Sequence, residues 1–329
     1  MKKILFISIL FLFIFCGEEK INYPPLGDEF EEVWKAKDIG KEKEINYIIP
    51  SNIYEEIFYF VVLEDYEYKH NSYIYKFDFK NENLEKIGDL PYCYTPFSLS
   101  FRFPEKILTF NKDSVYILNI ENGEIKKIKI PYLPRFISFS PFDSLQFFII
   151  CGILLISSYN FLSFDTIFHF SSNVYYLFIT KRGDIFAVSE NEILFSGDSG
   201  KTFNTIYNMP FKKVTFDVDG NVYIIKDNSV LKLSNGNLIY EINLPFELNF
   251  YSFTAGKDLF ISNFINNELR VYKLKNDKFL DISFGIKYTL ADSQIRHLIL
   301  KGDSKYYLMY AGSSYGNHIL YFIDSEFPP

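Results

Sequence analysis

The chain repeats one unit of roughly 40 residues, and this period constrains its fold more than any other feature. Seven units can be recognised, with starts near Ile57, Phe97, Arg135, Val174, Lys213, Phe250 and Ile295. Each unit contains short apolar runs, rich in β-branched and aromatic residues, that are separated by Gly, Asn and Asp. Such runs are typical of β-strands joined by tight turns. The repeat therefore predicts an all-β protein in which neighbouring units share a core.

The fourth and fifth units show the pattern most clearly. The fourth predicts strands over residues 174–179, 185–188, 193–195 and 202–207. The fifth carries Asp219-Gly220 and Asn235-Gly236, which are strong hairpin signals because glycine accepts the positive φ of a tight turn. Four antiparallel strands in each unit of about 40 residues make the blade of a β-propeller. We therefore expect a seven-bladed β-propeller, with six or eight blades as alternatives.

The last unit is one strand short of a blade. From Ile295 onward the sequence predicts three strands, over residues 297–300, 306–310 and 319–323. An open ring would leave two unpaired sheet edges. A strand over residues 30–33 or 45–49 can supply the fourth and close the ring. Residues 30–329 are thus expected to form a single propeller domain.

The N-terminus has the layout of an export signal. Lys2 and Lys3 precede twelve apolar residues, 4–15, which are too few to span a bilayer as a helix. Cys16 follows directly and resembles the lipid-modified cysteine of bacterial lipoproteins, which implies a signal peptide over residues 1–16 and a tether over 17–29. Phe15 stands where those signals have a small residue, so an uncleaved hydrophobic anchor and ordinary secretion stay as alternatives. All three place the domain outside the cytoplasm, and the expected location is the cell envelope, in the periplasm or on the outer surface.

One local motif lies in the fourth unit, between its third and fourth predicted strands. Ser196, Asp198, Gly200, Thr202 and Phe203 match the pattern Ser-x-Asp-x-Gly-x-Thr-Trp/Phe. This motif resembles the Asp-box of the BNR-like β-propeller superfamily. In that family the box is a structural turn, so the resemblance implies a fold and no chemistry. Asp198 is expected to accept backbone N–H groups across the turn, and Phe203 is expected to pack inward.

The alternative to a binding protein is a glycan-acting hydrolase or lyase that resembles the sialidases. That family holds its substrate carboxylate with three arginines, and this chain has five: Arg102, Arg135, Arg182, Arg270 and Arg296. Phe101-Arg102-Phe103-Pro104 resembles the family's Phe-Arg-Ile-Pro segment, although it lies in the second unit. The enzyme hypothesis requires at least two of Arg102, Arg135, Arg182 and Arg296 at the mouth of the central channel, beside a carboxylate.

The remaining sequence features favour a binding protein without a cofactor or a metal. The four histidines are scattered, and the turn Asp217 to Asn221 only partly mimics a calcium loop. A net charge of −7 argues against nucleic acid as a partner. Cys93 and Cys151 have no spacing motif, so two free thiols are favoured over a disulfide.

The sequence as a whole predicts a monomeric, non-enzymatic binding or scaffold propeller of the bacterial cell envelope. The membrane is reached through the N-terminal lipid or apolar segment. One face of the propeller binds a protein or glycan that the sequence does not identify.

Overall fold

The computed structural model describes most of the repeat region and part of the N-terminal segment. The described residues are 35–38, 44–54, 56–66, 69–91, 94–143, 145–217, 219–248, 252–255, 258–265, 268–283, 294–300, 306–313 and 316–323. Within them, 28 strands pair into seven antiparallel sheets of four strands each. In the same residues, no helix has the length and apolar content needed to cross a bilayer. The all-β prediction and the four-stranded antiparallel blades are confirmed.

Six of the sheets are blades made of four strands that follow one another in the chain. The first three blades comprise β2–β5 (Glu44–Pro50, Ile57–Tyr66, Lys69–Asp78, Asn83–Pro91), β6–β9 (Tyr94–Leu99, Lys106–Phe110, Ser114–Asn119, Ile125–Lys129) and β10–β13 (Phe136–Phe139, Gln146–Cys151, Leu154–Tyr159, Ser163–His169). The next three comprise β14–β17 (Tyr176–Ile179, Ile185–Val188, Glu192–Ser196, Asn204–Asn208), β18–β21 (Lys213–Phe216, Val222–Lys226, Ser229–Ser234, Asn237–Asn243) and β22–β25 (Ser252–Ala255, Leu259–Ile265, Glu268–Lys275, Lys278–Asp281). Six consecutive blades match the six-bladed alternative of the sequence analysis.

The seventh sheet joins the two ends of the described chain. Its inner three strands come from the C-terminus: β26 (Gln294–Leu300), β27 (Tyr306–Ser313) and β28 (Gly316–Ile323). Its outer strand is β1 (Lys35–Asp38), which runs antiparallel to β28 with Lys35 opposite Tyr321 and Asp38 opposite His318. A strand from the N-terminal segment thus adds a fourth strand to the three strands of the last unit by pairing with β28.

The position of the first unit differs from the sequence expectation. Residues 45–49, proposed as a closing strand, lie in β2, the innermost strand of the first blade. Ile57 begins the second strand of that blade and not its first. Ile45 and Ile48 are buried in the core, whereas β1, which pairs with β28, has the polar sequence KAKD. An apolar pattern finds a strand that packs between blades, but it does not find a polar edge strand. The other candidate, residues 30–33, lies outside the described residues.

In the first five blades, burial falls from the middle of the blade to its outer edge. The second and third strands are nearly continuous apolar runs, such as Lys106–Phe110 and Ile185–Val188. They are covered on both faces by neighbouring blades, so they do not alternate between apolar and polar residues. The fourth strands, such as Ile125–Lys129 and Asn237–Asn243, are mostly exposed.

The hydrophobic cores lie between the blades. Ile49 and Tyr59 of the first blade pack in one cluster with Leu99 and Ile107 of the second. Equivalent clusters join the second blade to the third, and so on to the sixth. Many of the chain's phenylalanines fill these layers; Phe147, for example, stacks on Phe161 at 5.6 Å between ring centroids. Blade packing accounts for much of the high aromatic content.

A small polar residue closes the first turn of five blades. Its N–H donates across the turn, and its side-chain oxygen accepts a backbone N–H from within the turn. These buried residues are Ser51, Ser100, Ser140, Thr180 and Asp217. The turns between the first and second strands therefore share one hydrogen-bonding scheme, although their sequences differ.

The alternating strand directions give the propeller two distinct faces. The turns after the first and third strands of each blade lie on one face, which we call the first-turn face. The turns after the second strands, and the connections between blades, lie on the opposite face, which we call the crossover face. Innermost strands of neighbouring sheets contact one another from β2 to β14 and from β18 to β26, and β26 also contacts β2.

Candidate functional site

A cavity of about 160 Å³ lies along the innermost strands of the first four blades. Tyr47 of β2, Ser98 of β6, Ser138 of β10 and Tyr176 of β14 all line it. These four residues come from four different repeats and share no local motif. The ring arrangement of the blades brings them together, because each innermost strand borders the central channel.

Aromatic rings form one wall of this cavity. Phe136 packs edge-on against Tyr176, with 4.9 Å between ring centroids. Tyr176 also stacks on Phe216 of the fifth blade at 6.2 Å, and Phe178 stacks on the same ring at 4.8 Å. Tyr176 is 39% exposed although Phe136 and Phe216 pack against its ring. The wall can therefore pack against a planar or ring-shaped group.

The polar groups in the cavity are neutral. Ser98 Oγ accepts the backbone N–H of Phe139 at 3.1 Å and lies 3.4 Å from Ser138 Oγ. Burial raises the pKa of Tyr47 to about 12. Burial and the neighbouring Tyr47 raise the pKa of Tyr176 as well, so both phenols keep their protons at neutral pH.

None of the described residues that line this cavity is acidic, basic or a histidine. General acid–base catalysis needs a group that exchanges protons near the working pH, and a phenol with a raised pKa does not meet that need. The cavity instead offers hydroxyl groups, an Asn52 amide and aromatic faces. This chemistry suits the binding of a neutral group.

A buried carboxylate fixes the rim of the cavity between the first two blades. Glu105, only 2% exposed, accepts the backbone N–H of Asn52 at 2.8 Å and the phenol O–H of Tyr59 at 2.7 Å. Ser51 Oγ lies 2.9 Å from both of its oxygens. Burial and then the charge of Glu105 raise the pKa of Tyr59. Because Asn52 also donates to the Leu99 carbonyl at 3.1 Å, the cluster holds this cavity residue against both blades.

The Asp-box residues form a compact turn between β16 and β17. Asp198 accepts the backbone N–H of Thr202 at 2.9 Å and its hydroxyl at 2.7 Å. Ser196 Oγ donates to Asp198 at 2.8 Å and accepts the N–H of Gly200 at 2.9 Å; Gly200 has a φ of +90°. These bonds, led by the Thr202 N–H, lower the pKa of Asp198 to about 2.

Phe203 fixes this turn to the preceding blade. Its ring lies 4.8 Å from Phe168 and 4.9 Å from Phe170, measured between centroids. Leu155 and Ile167 of the same preceding blade pack beside Gly200. The hairpin therefore makes a contact between blades, and none of its residues lines the channel cavity.

The arginines of the sialidase hypothesis do not come together. Arg102 and Arg182 lie in first turns, whereas Arg135 precedes β10 on the crossover face, over the Tyr175 ring at 5.9 Å. Arg182 is exposed and lies 4.0 Å from Asp219, and Arg270 pairs with Asp281 at 3.3 Å in the sixth blade. The Arg296 side chain lies outside the described residues. The described arginines form no grip for a substrate carboxylate.

The structure describes only some of the remaining candidate residues. Among the residues described, no group of three or more His, Cys, Asp or Glu side chains could hold a metal ion. Asp217 accepts the N–H groups of Asp219 and Asn221, so the calcium-like turn is a hydrogen-bonded hairpin. Cys151 is a free thiol whose pKa is raised to about 11 by burial. Cys16 and Cys93 lie outside the described residues.

Comparisons with known proteins support the fold and leave the function open. No family model matches the chain, and no curated protein matches it. The chain is similar to the β-propeller domain of the trilobed protease from Pyrococcus furiosus, which is described as having an open velcro topology. The TM-score is 0.59 and the sequence identity is 11%, and the match covers 87% of this chain and 95% of that chain. An acylaminoacyl peptidase from Pyrococcus horikoshii is similar with a TM-score of 0.58 and 9% identity over 84% of this chain.

This chain spans about half of the peptidase, 52% of its length. At such low identity the likeness shows the β-propeller fold alone. No Asp-box family and no lipoprotein family is identified by these comparisons.

Proposed function

We propose that this protein is a non-enzymatic binding propeller that is exported and anchored to the cell membrane by its N-terminus. In this proposal the composite sheet acts as a seventh blade that closes the ring. The contacts of β26 with both β22 and β2 support closure. Export and anchoring rest on Lys2, Lys3, the apolar run and Cys16.

The observation that carries the binding role is the neutral lining of the channel cavity. Hydroxyls, one amide and aromatic rings surround it, and none of the described residues that line it could act as a nucleophile–base pair at neutral pH. A cavity of roughly 150 Å³ is large enough to hold benzene. The proposed ligand is therefore a neutral ring, carried by a protein side chain or by a glycan.

Saturation-transfer NMR on the full-length protein tests this role. The probes are N-acetylphenylalaninamide, which represents an aromatic side chain, and methyl glucoside, which represents a sugar ring. We expect saturation to reach one of them from the wild-type protein. Ser138→Phe, which fills the cavity, should abolish the transfer.

Ser163→Phe is the matched control, because Ser163 is an exposed residue of the outer strand β13. It makes the same change in side chain away from the channel and should leave the transfer intact. Transfer that survives Ser138→Phe would place binding elsewhere. Transfer to neither probe would count against a neutral-ring ligand.

The anchoring part has its own test. Replacing Cys16 with Ser should prevent acylation and move the protein from the membrane fraction to the soluble fraction, because the lipid is attached through the thiol. Mass spectrometry of the wild-type N-terminus should show a lipid on Cys16. An unmodified Cys16 in a protein that stays membrane-bound would instead support the uncleaved apolar anchor.

A further inference from the structure

The N-terminal segment joins the propeller on its first-turn face. β1 is the outer strand of the composite sheet, and its first residue, Lys35, lies opposite Tyr321 near the end of β28. Tyr321 pairs in turn with Leu308, close to the start of β27 at the first-turn end of the sheet. The 34 residues that precede β1, including the apolar run and Cys16, therefore connect to this face.

The same face carries a group of exposed apolar side chains, which we call the apolar loop patch. They lie in the first turns of the first three blades and in the third turn of the third blade. Its members are Tyr54, Phe103, Phe142, Leu145 and Leu162. Phe103 is 63% exposed and Leu162 is 85% exposed, so these side chains contribute little to the cores between blades.

The patch is held in place by its loops. An added Cβ at Gly183 of the fourth blade would lie 2.2 Å from the Phe142 ring, so the ring rests on this glycine. Ser140 Oγ accepts the N–H of Phe142 at 3.3 Å, and Asp143 accepts the N–H of Leu145 at 2.8 Å. An aromatic side chain that is already held at an exposed loop tip, as Phe142 is, enters an apolar environment at a lower ordering cost.

Cationic side chains lie next to the patch. Arg102 precedes Phe103, and Lys181 and Arg182 lie in the first turn of the fourth blade; all three are exposed. Arg182 reaches Asp219 only at 4.0 Å, a pair of exposed groups that contributes little. Arginine and lysine beside apolar loop tips fit the phosphates of lipid headgroups.

We propose that the first-turn face lies on the membrane surface, with the apolar loop patch in the headgroup region. The inference rests on the proposed membrane anchoring. The crossover face also exposes apolar residues, including Leu133 and Met209, but the N-terminal segment does not join the propeller there. The chain's single tryptophan, Trp34, directly precedes β1 in sequence, and tryptophan is enriched at membrane interfaces.

Tryptophan quenching in vesicles tests the orientation. The full-length protein carries Trp34→Phe, so that Phe103→Trp introduces the only indole. Vesicles contain phosphatidylethanolamine and phosphatidylglycerol with brominated acyl chains. We expect a blue shift and strong quenching for Phe103→Trp. Leu133→Trp on the crossover face is the control and should show neither.

A second position and a flotation assay complete the test. Leu162→Trp should be quenched as Phe103→Trp is, and Trp34→Tyr provides a second background if Trp34→Phe fails to fold. Protein that floats with the vesicles but shows equal quenching at positions 103 and 133 would overturn the orientation alone. Wild-type protein that does not float would overturn both the anchoring and the orientation.

Discussion

The hydrogen-bond partners of a residue can lie near it or far from it along the chain. Only partners that lie near can be predicted from a local sequence motif. Asp198 finds Ser196 and Thr202 within four positions, so its turn could be predicted from a short motif. Glu105 finds Ser51 and Tyr59 at 54 and 46 positions away in the chain. No local pattern predicts that cluster, because the ring of blades creates it.

Asp198→Ala should lower the stability of the wild-type fold in a pH-dependent way. Hydrogen bonds hold the pKa of Asp198 at about 2, below its usual value near 4. A lowered folded-state pKa contributes stability that is present above pH 4 and lost as the pH falls toward 2. The melting-temperature difference between wild type and Asp198→Ala should therefore be full at pH 6 and shrink on acidification.

Asp165→Ala is the control for this series, because Asp165 is an exposed residue of the outer strand β13 in the preceding blade. Its effect on the melting temperature should be smaller than that of Asp198→Ala at pH 6. A difference for Asp198→Ala that stays constant from pH 6 to pH 2.5 would contradict the charged role of Asp198.

At the scale of strands, the apolar pattern predicted most strands of the blades but missed the polar outer strand β1 of the composite sheet. Residues 185–188 and 222–225 are buried runs that any strand template detects. β1 has the sequence KAKD and pairs with a strand that lies some 280 positions away, so no local pattern predicts its partner. The channel site could not be predicted for the same reason, since its tyrosines and serines are ordinary strand residues.

Interrupting β1 should destabilise the whole domain. The double change Ala36→Pro and Lys37→Pro removes two consecutive backbone donors, one of which faces β28 because alternate N–H groups point to opposite sides of a strand. Loss of this pairing exposes a sheet edge, so we expect a lower melting temperature and aggregation.

The matched control places the same double proline in the preceding segment, at Glu31 and Glu32. It should leave the melting curve unchanged, because these positions precede β1. If both double variants melt like the wild type, β1 does not support the ring.

At the scale of the whole molecule, the candidate functional features lie on the innermost strands of the blades and in the loops that connect their strands. The cavity uses the innermost strands, the Asp-box hairpin joins two blades, and the apolar loop patch lies on the first-turn face. The fold alone assigns none of these functions, because propellers support many. The neutral channel and the side on which the N-terminal segment joins are the two features that favour a binding protein at a membrane.

Site-specific photo-crosslinking in the cells that make the protein tests the central claim most directly. A benzophenone amino acid replaces Tyr176 in the channel, and in a control it replaces Leu238, an exposed residue of the outer strand β21. A binding propeller predicts a discrete adduct from position 176 in the membrane fraction, and no such adduct from position 238. The same adducts from both positions, or none from position 176, would contradict the claim that the channel binds a partner at the membrane.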